Sequence, residues 1–399
     1  MIKRDIFSKI NGSLFQDRVI LIFGTRRVGK TTLLRQIIAE NESLGKRCVY
    51  LNCDLLSVKQ ALETTNEQLL KQYVDGFDII AIDEAQNVIN IGRTLKIIHD
   101  VFPEIQVIAT GSSSFDLANK TGEPLVGRSR SFILYPFSVN ELKDVQGAFI
   151  ADASLDNFLR LGMYPCIHGM TEDEARDELE NLVNGYLYKD ILVFENVRRS
   201  DQILKLLQCL ALQIGSEVSF NELSKRLEIN ANTVKKYVDL LEKCYVIFAL
   251  PAFSRNLRNE IAGNRTRKIF FYDVGIRNAL LGIYQSMDLR NDVGGIWENF
   301  CVVELMKKAQ REGRRCRRYF WRNYDGGEID FIEEEDGRLK TYEFKYSPNK
   351  RAKLPKIFEE TYGVSDLTII NKENWLQFLG NGLPSEAMMT KPGKEELEE

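Results

Sequence analysis

Between Val19 and Leu34 the chain reads VILIFGTRRVGKTTLL. Val19 to Phe23 are uninterrupted apolar residues, the pattern of a short strand buried on both faces. Gly24-Thr25-Arg26-Arg27-Val28-Gly29-Lys30-Thr31 then fits G-x-x-x-x-G-K-[ST] at every position. The two glycines let the backbone curl so that successive N–H groups converge on phosphate oxygens. Lys30 opens the following helix, where its ammonium and the helix dipole both face the β- and γ-phosphates. The Thr31 hydroxyl is a Mg²⁺ ligand, and Thr32 starts the helical run to Ser43. The predicted ligand is therefore ATP with Mg²⁺, cradled by residues 24–32.

Working outward, Arg47–Asn52 reads as a second strand and Leu55–Val74 as helical. Asp78-Ile79-Ile80-Ala81-Ile82-Asp83-Glu84 is an apolar strand ending in two acids, a Walker B pattern. Asp83 would serve the Mg²⁺ shell, and Glu84 would orient and deprotonate the attacking water. The plainer alternative is a pair of acids capping the next helix. Gln106–Thr110 forms a fourth strand that runs into Gly111-Ser112-Ser113-Ser114. Ser112 is the first candidate for contact with the γ-phosphate or the water and Thr110 the second; a simple Gly/Ser turn is the alternative. Ser131–Tyr135 completes the strands. Strands alternating with helices predict an α/β fold, a parallel-sheet P-loop NTPase core with its ligand at the carboxyl edge.

Composition narrows the setting. The chain has 399 residues, enough for two or three domains, with 44% hydrophobic and 28% charged residues. No apolar run is long enough for a membrane span or a signal-peptide core, so a cytoplasmic protein with no membrane partner is expected. Cys48, Cys53, Cys166, Cys209, Cys244, Cys301 and Cys316 are scattered and never paired as C-x-x-C, which predicts reduced thiols. With only His99 and His168, histidine-based metal or triad chemistry is disfavoured. A net charge of −3 makes no general case for nucleic acid, so that case rests on local patches.

GTRRVGKTTLL, IIAIDEAQNV, IATGSSS, the Gly127-Arg128 pair and LYPFSVNEL together resemble the prokaryotic AAA+ ATPases that carry a C-terminal domain of unknown function; RLGMYP and YLYKDILVFENVRR resemble their helical connector. The resemblance spans roughly Phe15 to Asn371. It implies an AAA+ core, a winged helix and a restriction-endonuclease-like C-terminal domain. The chain divides accordingly into an N-terminal segment 1–18, an ATPase core 19–150, a helical lid 151–200, a winged helix-turn-helix 201–272, a PD-(D/E)xK nuclease-like domain 273–379 and a polar, disordered tail 380–399. It also implies that Arg128, or Arg130 close by, is an arginine finger in a homo-oligomer; an ordinary surface arginine is the alternative. Within the fourth section, Phe220–Leu227 and Asn232–Cys244 spell helix-turn-helix with Asn232 as N-cap. Thr233, Lys235, Lys236 and Tyr237 on the second helix, with Arg255, Arg258, Arg265, Arg267 and Lys268 on the wing, would face DNA phosphates; a packing module is the alternative.

A second chemical site is predicted by counting. Glu328-Ile329-Asp330-Phe331-Ile332 alternates, turns at Asp336-Gly337 and returns as Leu339–Tyr346. A two-residue turn pairs 335 with 338, which sets Asp330 opposite Glu343 and Glu328 opposite Lys345 on one face. Facing carboxylates call for a cation between them. The reading is a second divalent metal, Mg²⁺ or Mn²⁺, on Asp330 and Glu343, with Lys345 positioning the water. Asp-x12-Glu-x-Lys is similar to the PD-(D/E)xK core without its proline. By that resemblance Glu298, on the helix 296–310, is a further ligand. Arg311, Arg314, Arg315, Arg317 and Arg318 supply a basic run nearby. The alternative is a solvated hairpin with a Glu328–Lys345 ion pair. Function follows as an ATP-hydrolysing ATPase whose C-terminal half engages DNA, with metal-dependent cleavage; the rival is a nucleotide-switched interaction protein with a degenerate nuclease fold.

Overall fold

The computed structural model describes residues 2–112, 125–195, 200–254, 267–323 and 325–380, with side chains throughout these except 186–195 and 200. Ser113 and Ser114, Arg255, Arg258 and Arg265, and the tail beyond Gly380 lie outside the described residues.

Five parallel strands, β1 (Val19–Phe23), β2 (Cys48–Asn52), β3 (Ile79–Asp83), β4 (Gln106–Gly111) and β5 (Ser129–Ile133), stand in the order β2-β3-β4-β1-β5. The central strands β1, β3 and β4 are buried along their whole length, as their unbroken apolar runs require. One face packs against the helix Lys30–Ser43 through Leu33, Leu34 and Ile37. The other covers the helix Ile91–Val101 through Leu95 and Ile98. The register pairs Phe23 with Gly111 and Asn52 with Asp83, so the carboxyl ends of four strands finish flush. β5 begins two residues earlier than expected, because it pairs with β1 from Val19↔Ser129 onward. The expected helix 55–74 is two, Leu56–Leu62 and Glu67–Val74. Asn66 breaks it, its side chain accepting from the N–H groups of Gln68 and Leu69.

The connector holds the helices Leu155–Leu161 and Glu172–Glu195. Three helices follow, Ser200–Leu212, Phe220–Leu227 and Ala231–Lys243, then an antiparallel pair, β6 (Ile247–Pro251) and β7 (Arg267–Phe271). Leu206, Leu210, Leu223, Val238, Ile247 and Phe271 share one core. The cap of the third of these helices is Asn230, which accepts from the Asn232 N–H, and not Asn232 itself. Asn230 alone has the extended backbone an N-cap needs.

The long helix Val293–Glu312 is buried over most of its length. It packs on a second sheet of β8 (Arg317–Arg322), β9 (Glu328–Glu335), β10 (Arg338–Phe344) and β11 (Leu367–Ile370), ordered β11-β10-β9-β8. The β9–β10 turn is the expected one: Glu335 pairs with Arg338 and Phe331 with Tyr342, while Asp336 and Gly337 take φ of 50° and 78°. Only the positive-φ turn matches the right-handed strand twist, which is why Asp-Gly sits there. The long helix is also tied to the first sheet. Lys307 Nζ donates to the Phe137 carbonyl at 2.8 Å and to Glu304 at 2.7 Å, and Glu304 accepts from the Val139 N–H at 2.9 Å. One apolar core consequently runs from Val19 to Leu379. No helix among the described residues is long and apolar enough to cross a membrane.

Candidate functional site

Gly24 leaves β1 so close to its neighbour that a Cβ would lie 2.4 Å from the Leu134 carbonyl oxygen, which only glycine permits. Gly29 takes φ +96° immediately before the helix, in the left-handed region. The loop between them curls over Lys30, which is only 4% exposed. Lys30 Nζ donates to the carbonyls of Gly24 and Thr25 at 3.0 Å each, so the ammonium lies across the loop it would share with phosphates. Two contacts escaped sequence reasoning. Arg4, in a segment with no recognisable chemistry, donates to the Val28 carbonyl at 2.9 Å and pairs with Glu141 at 3.0 Å. The Tyr164 hydroxyl donates to Thr25 Oγ1 at 2.8 Å, joining the connector to the loop. Arg26, Arg27 and Thr32 are exposed, and Arg27 pairs with Glu178 of the connector.

Asp83, 2% exposed, is the hub at the strand ends. Its Oδ2 accepts from Thr31 Oγ1 at 2.7 Å and from the Tyr50 hydroxyl at 2.6 Å; its Oδ1 accepts from Thr110 Oγ1 at 2.5 Å. All three donors are neutral. Tyr50 was not anticipated; burial first, and Asp83 second, push its hydroxyl up to about 12. Glu84 takes φ of 51°, its N–H donates to Thr110 Oγ1 at 3.1 Å, and its carboxylate accepts from the Gln86 amide. Gln86 also accepts from the Ser112 N–H at 3.4 Å. Of the two candidates at the end of β4, then, Thr110 meets Asp83 through its side chain, and Ser112 meets Gln86 through its backbone N–H. Thr31, Asp83, Glu84 and Tyr50 line a cleft of about 410 Å³ with Arg26 and Arg35. A hydroxyl and a carboxylate at its mouth are the hard oxygen donors that suit Mg²⁺.

Arg128 lies at the other end of the sheet. Its carbonyl accepts from the Val19 N–H at 2.8 Å and its guanidinium pairs with Asp100 at 2.7 Å, a strand length from its own phosphate loop. Arg130 stacks over Phe132 at 5.4 Å.

The β9–β10 ladder runs from Glu335↔Arg338 to Phe331↔Tyr342, and the acids next to it surround an ammonium, with Glu328 meeting Lys268 and not Lys345. Glu298, Glu328, Asp330 and Glu343 converge, and Lys345 Nζ donates to Glu343 at 2.5 Å. Lys268, expected on the wing facing DNA, is instead 1% exposed and points into the acids. Its Nζ donates to Glu298 and Glu328 at 2.8 Å each and lies 3.9 Å from Asp330. The other Asp330 oxygen accepts from the Phe344 N–H at 2.9 Å. Among the described residues no group of three or more His, Cys, Asp and Glu is arranged to hold a metal ion. The expected second metal on Asp330, Glu343 and Glu298 is thereby corrected: an ammonium from β7 fills the space. Burial pushes Glu298 up to about 8 against the opposing pull of Lys268. Burial also raises Asp330 and Glu343, the latter further through the charge of Asp330.

The basic run is largely turned inward. Arg311 pairs with Asp5 at 3.3 Å, and Arg314 with Glu312 at 2.7 Å and Glu333 at 2.8 Å, leaving Arg315 and Arg317 exposed. Arg267 lies over the Phe220 ring at 4.8 Å. On the helix Ala231–Lys243, Lys235 and Lys236 are exposed, whereas Thr233 and Tyr237 are half-buried.

Comparison with known proteins matches three stretches of the chain. Residues 16–143 match the model of an AAA domain, 152–286 a domain of unknown function (DUF8612) and 293–383 another (DUF4143). An uncharacterized protein of Mycobacterium tuberculosis is 25% identical over 347 residues, covering 86% of this chain and 74% of its own. One of Methanocaldococcus jannaschii is 24% identical over 390 residues, covering 93% and 83%. The AMPPCP-bound DnaA of Aquifex aeolicus is 19% identical over 60% of this chain and 86% of its own, with a TM-score of 0.29, too slight a likeness to bear on fold or function. The N-terminal third of the chain, whose parallel sheet carries the phosphate loop and Asp83 on one edge, matches the model of an AAA domain.

Proposed function

We propose that the chain is a cytoplasmic AAA+ ATPase that binds and hydrolyses ATP and uses its C-terminal half to engage DNA. The observation that carries the first part is the 2.7 Å contact of Thr31 with Asp83 across the mouth of the loop, with Glu84 beside it. Lys30 would hold the β- and γ-phosphates, Thr31 and Asp83 the Mg²⁺, and Glu84 would take the proton of the attacking water. Mg²⁺ supplies charge neutralisation of the phosphates when bound. Gln86 keeps the Glu84 carboxylate oriented, and Thr110 or Ser112 would report the state of the γ-phosphate. Arg128 is too far from its own loop to act there, which favours a finger reaching the neighbouring subunit of a homo-oligomer. The seven free cysteines favour a reducing compartment.

For the DNA-binding half, the support is a helix-turn-helix with an antiparallel pair behind it, read as a winged helix with Lys235 and Lys236 exposed. The helix Val293–Glu312 on a mixed four-stranded sheet is read as a nuclease-like fold used for binding, since Lys268 occupies acids a metal would need. The test is ATP turnover measured with and without duplex, branched and single-stranded DNA. Turnover in the wild type, raised by DNA and depressed by Lys235→Glu/Lys236→Glu only when DNA is present, is expected. Turnover that no DNA alters would leave an ATPase serving a protein partner.

A further inference from the structure

The acids of the C-terminal cluster lie where a nuclease-like fold would hold a metal, yet the residues do not fit one. Lys268 Nζ stands between Glu298 and Glu328 at 2.8 Å from each, with the Phe320 ring 5.4 Å below and Asp330 at 3.9 Å. Glu298 is closed off on its other side. A Cβ on Gly215 would come within 2.9 Å of Glu298 Oε2, so backbone is packed where water and metal would enter.

The lysine is also fixed at its root. Lys268 pairs with Leu250 in the β6–β7 ladder and forms a bridge with Glu217 on its other side, where the Val218 N–H donates to the Arg267 carbonyl at 2.8 Å. Three residues on, Asn299 of the helix Val293–Glu312 brackets Phe271, accepting from its N–H at 2.7 Å and donating to its carbonyl at 2.8 Å. Beyond β6, the Phe253 N–H donates to the Phe320 carbonyl at 2.7 Å. Withdrawing the ammonium means breaking this backbone seam, not turning one side chain.

We infer that Lys268 is the resident cation of this cluster, an ionic joint that locks the β6–β7 hairpin, the helix Val293–Glu312 and strand β9 into one body in place of a metal. Glu298, Glu328 and Asp330 are the socket, while Lys345 donates to Glu343 at 2.5 Å and lies 3.9 Å from the other Asp330 oxygen. The hairpin and the C-terminal sheet then move together, and any nucleotide-driven change has to be taken up elsewhere, at the loop and its Tyr164 contact.

The test requires neither DNA nor ATP, so its outcome is separate from that of the proposed function. Mn²⁺ is titrated into the nucleotide-free full chain, wild type and Asp330→Asn, and bound ion is counted by electron paramagnetic resonance. Superimposable isotherms are expected, whatever Mn²⁺ the phosphate site takes. Mn²⁺ binding to the wild type that Asp330→Asn removes overturns the inference. In a second arm, Lys268→Met should melt below wild type. A Lys268→Met protein that melts with the wild type overturns the joint. If Lys268→Met does not fold, the wild-type and Asp330→Asn titrations still decide the question.

Discussion

Two buried carboxylate sites in this molecule differ in the charge of what they hold. Asp83 is met by three hydroxyls, those of Thr31, Tyr50 and Thr110, which orient it without cancelling its charge. Glu298, Glu328 and Asp330 are met by an ammonium, which is itself charged and neutralises one unit of theirs. A neutral donor can be displaced from a carboxylate by an arriving cation at the cost of a hydrogen bond. An ammonium held in a desolvated pocket by its own backbone cannot, because the arriving cation would leave two like charges buried side by side. On the proposed function the first arrangement would receive a cation, whereas the second is a finished contact. Acidic residues in the same place on a fold are therefore no guide to metal chemistry until their partners are known.

The sharpest way to separate the two is to neutralise an acid in each. Glu84→Gln should slow ATP hydrolysis by about 10²–10⁴-fold, the usual loss on removing a general base, while ATP binding survives. Lys30→Ala should abolish binding itself, as calorimetry would report. Normal turnover by Glu84→Gln would make Glu84 a capping acid and leave Asp83 without a reaction to serve. Asp330→Asn, by contrast, should leave turnover unchanged.

Next in size is the loss of the cation itself. Lys268→Met should cost about 3–5 kcal/mol of stability, the range for breaking a buried ion pair from one side. Denaturant melts of the full chain would show it. Changing Thr31 to Val, which removes a neutral donor at the other site, should cost far less. Equal costs would erase the distinction.

How far these sites were legible follows from how local each signal is. Residues 24–31 and 79–84 are contiguous, so the loop and its acids could be read directly, and Asp336-Gly337 set the β9–β10 register because a two-residue turn leaves no freedom. Lys268 could not be read. It lies 30 residues from Glu298 and 60 from Glu328, and its basic neighbours made it look like part of a solvated wing. A signal existed in Lys268-Ile269-Phe270-Phe271, since a lysine opening an apolar strand beside a helix full of buried residues needs an acid to meet it. Tyr50 had weaker markers: it is one aromatic in a strand, and its role depends on β2 lying next to β3. The Asn230 cap lies two positions before the expected one, as Asn230 and Asn232 look alike without dihedral angles.

A third carboxylate supplies the limiting case, with neither hydroxyl nor ammonium. Asp273 is buried and accepts only backbone N–H groups, from Met163 and Gly275 at 2.8 Å and from Ile276 at 3.3 Å. Burial outweighs these donors and pushes its carboxyl from 3.8 up to about 6. A raised folded value means the fold favours the protonated form. That contribution is complete below 3.8 and is lost as pH rises through about 6. Asp273→Asn mimics the neutral acid, so wild type should lose about 3 kcal/mol relative to the variant between pH 4 and 7. Melting curves across that window would check it, and a constant difference would mean the three amides hold the charge comfortably.

The smallest effect is the most informative about the phosphate site. Tyr50 donates to the same Asp83 oxygen as Thr31, and Arg35 stacks over its ring at 5.3 Å. If that hydroxyl is only a placeholder, it must yield when Mg²⁺ reaches Asp83. Tyr50→Phe would then cost about 0.5–1.5 kcal/mol of stability without nucleotide, the worth of one hydrogen bond. The same variant would bind MgATP as tightly as wild type or up to about tenfold more tightly, since each 1.4 kcal/mol not spent on displacement is a factor of ten. ATP without Mg²⁺ should bind both proteins alike, because Tyr50 touches none of the groups proposed for the phosphates. Calorimetry in both conditions separates the cases. A drop in MgATP affinity beyond tenfold, with Mg²⁺-free ATP unchanged, would show that Tyr50 aims Asp83 at the ion. The neutral donors would then be part of the receptor and not its temporary occupants.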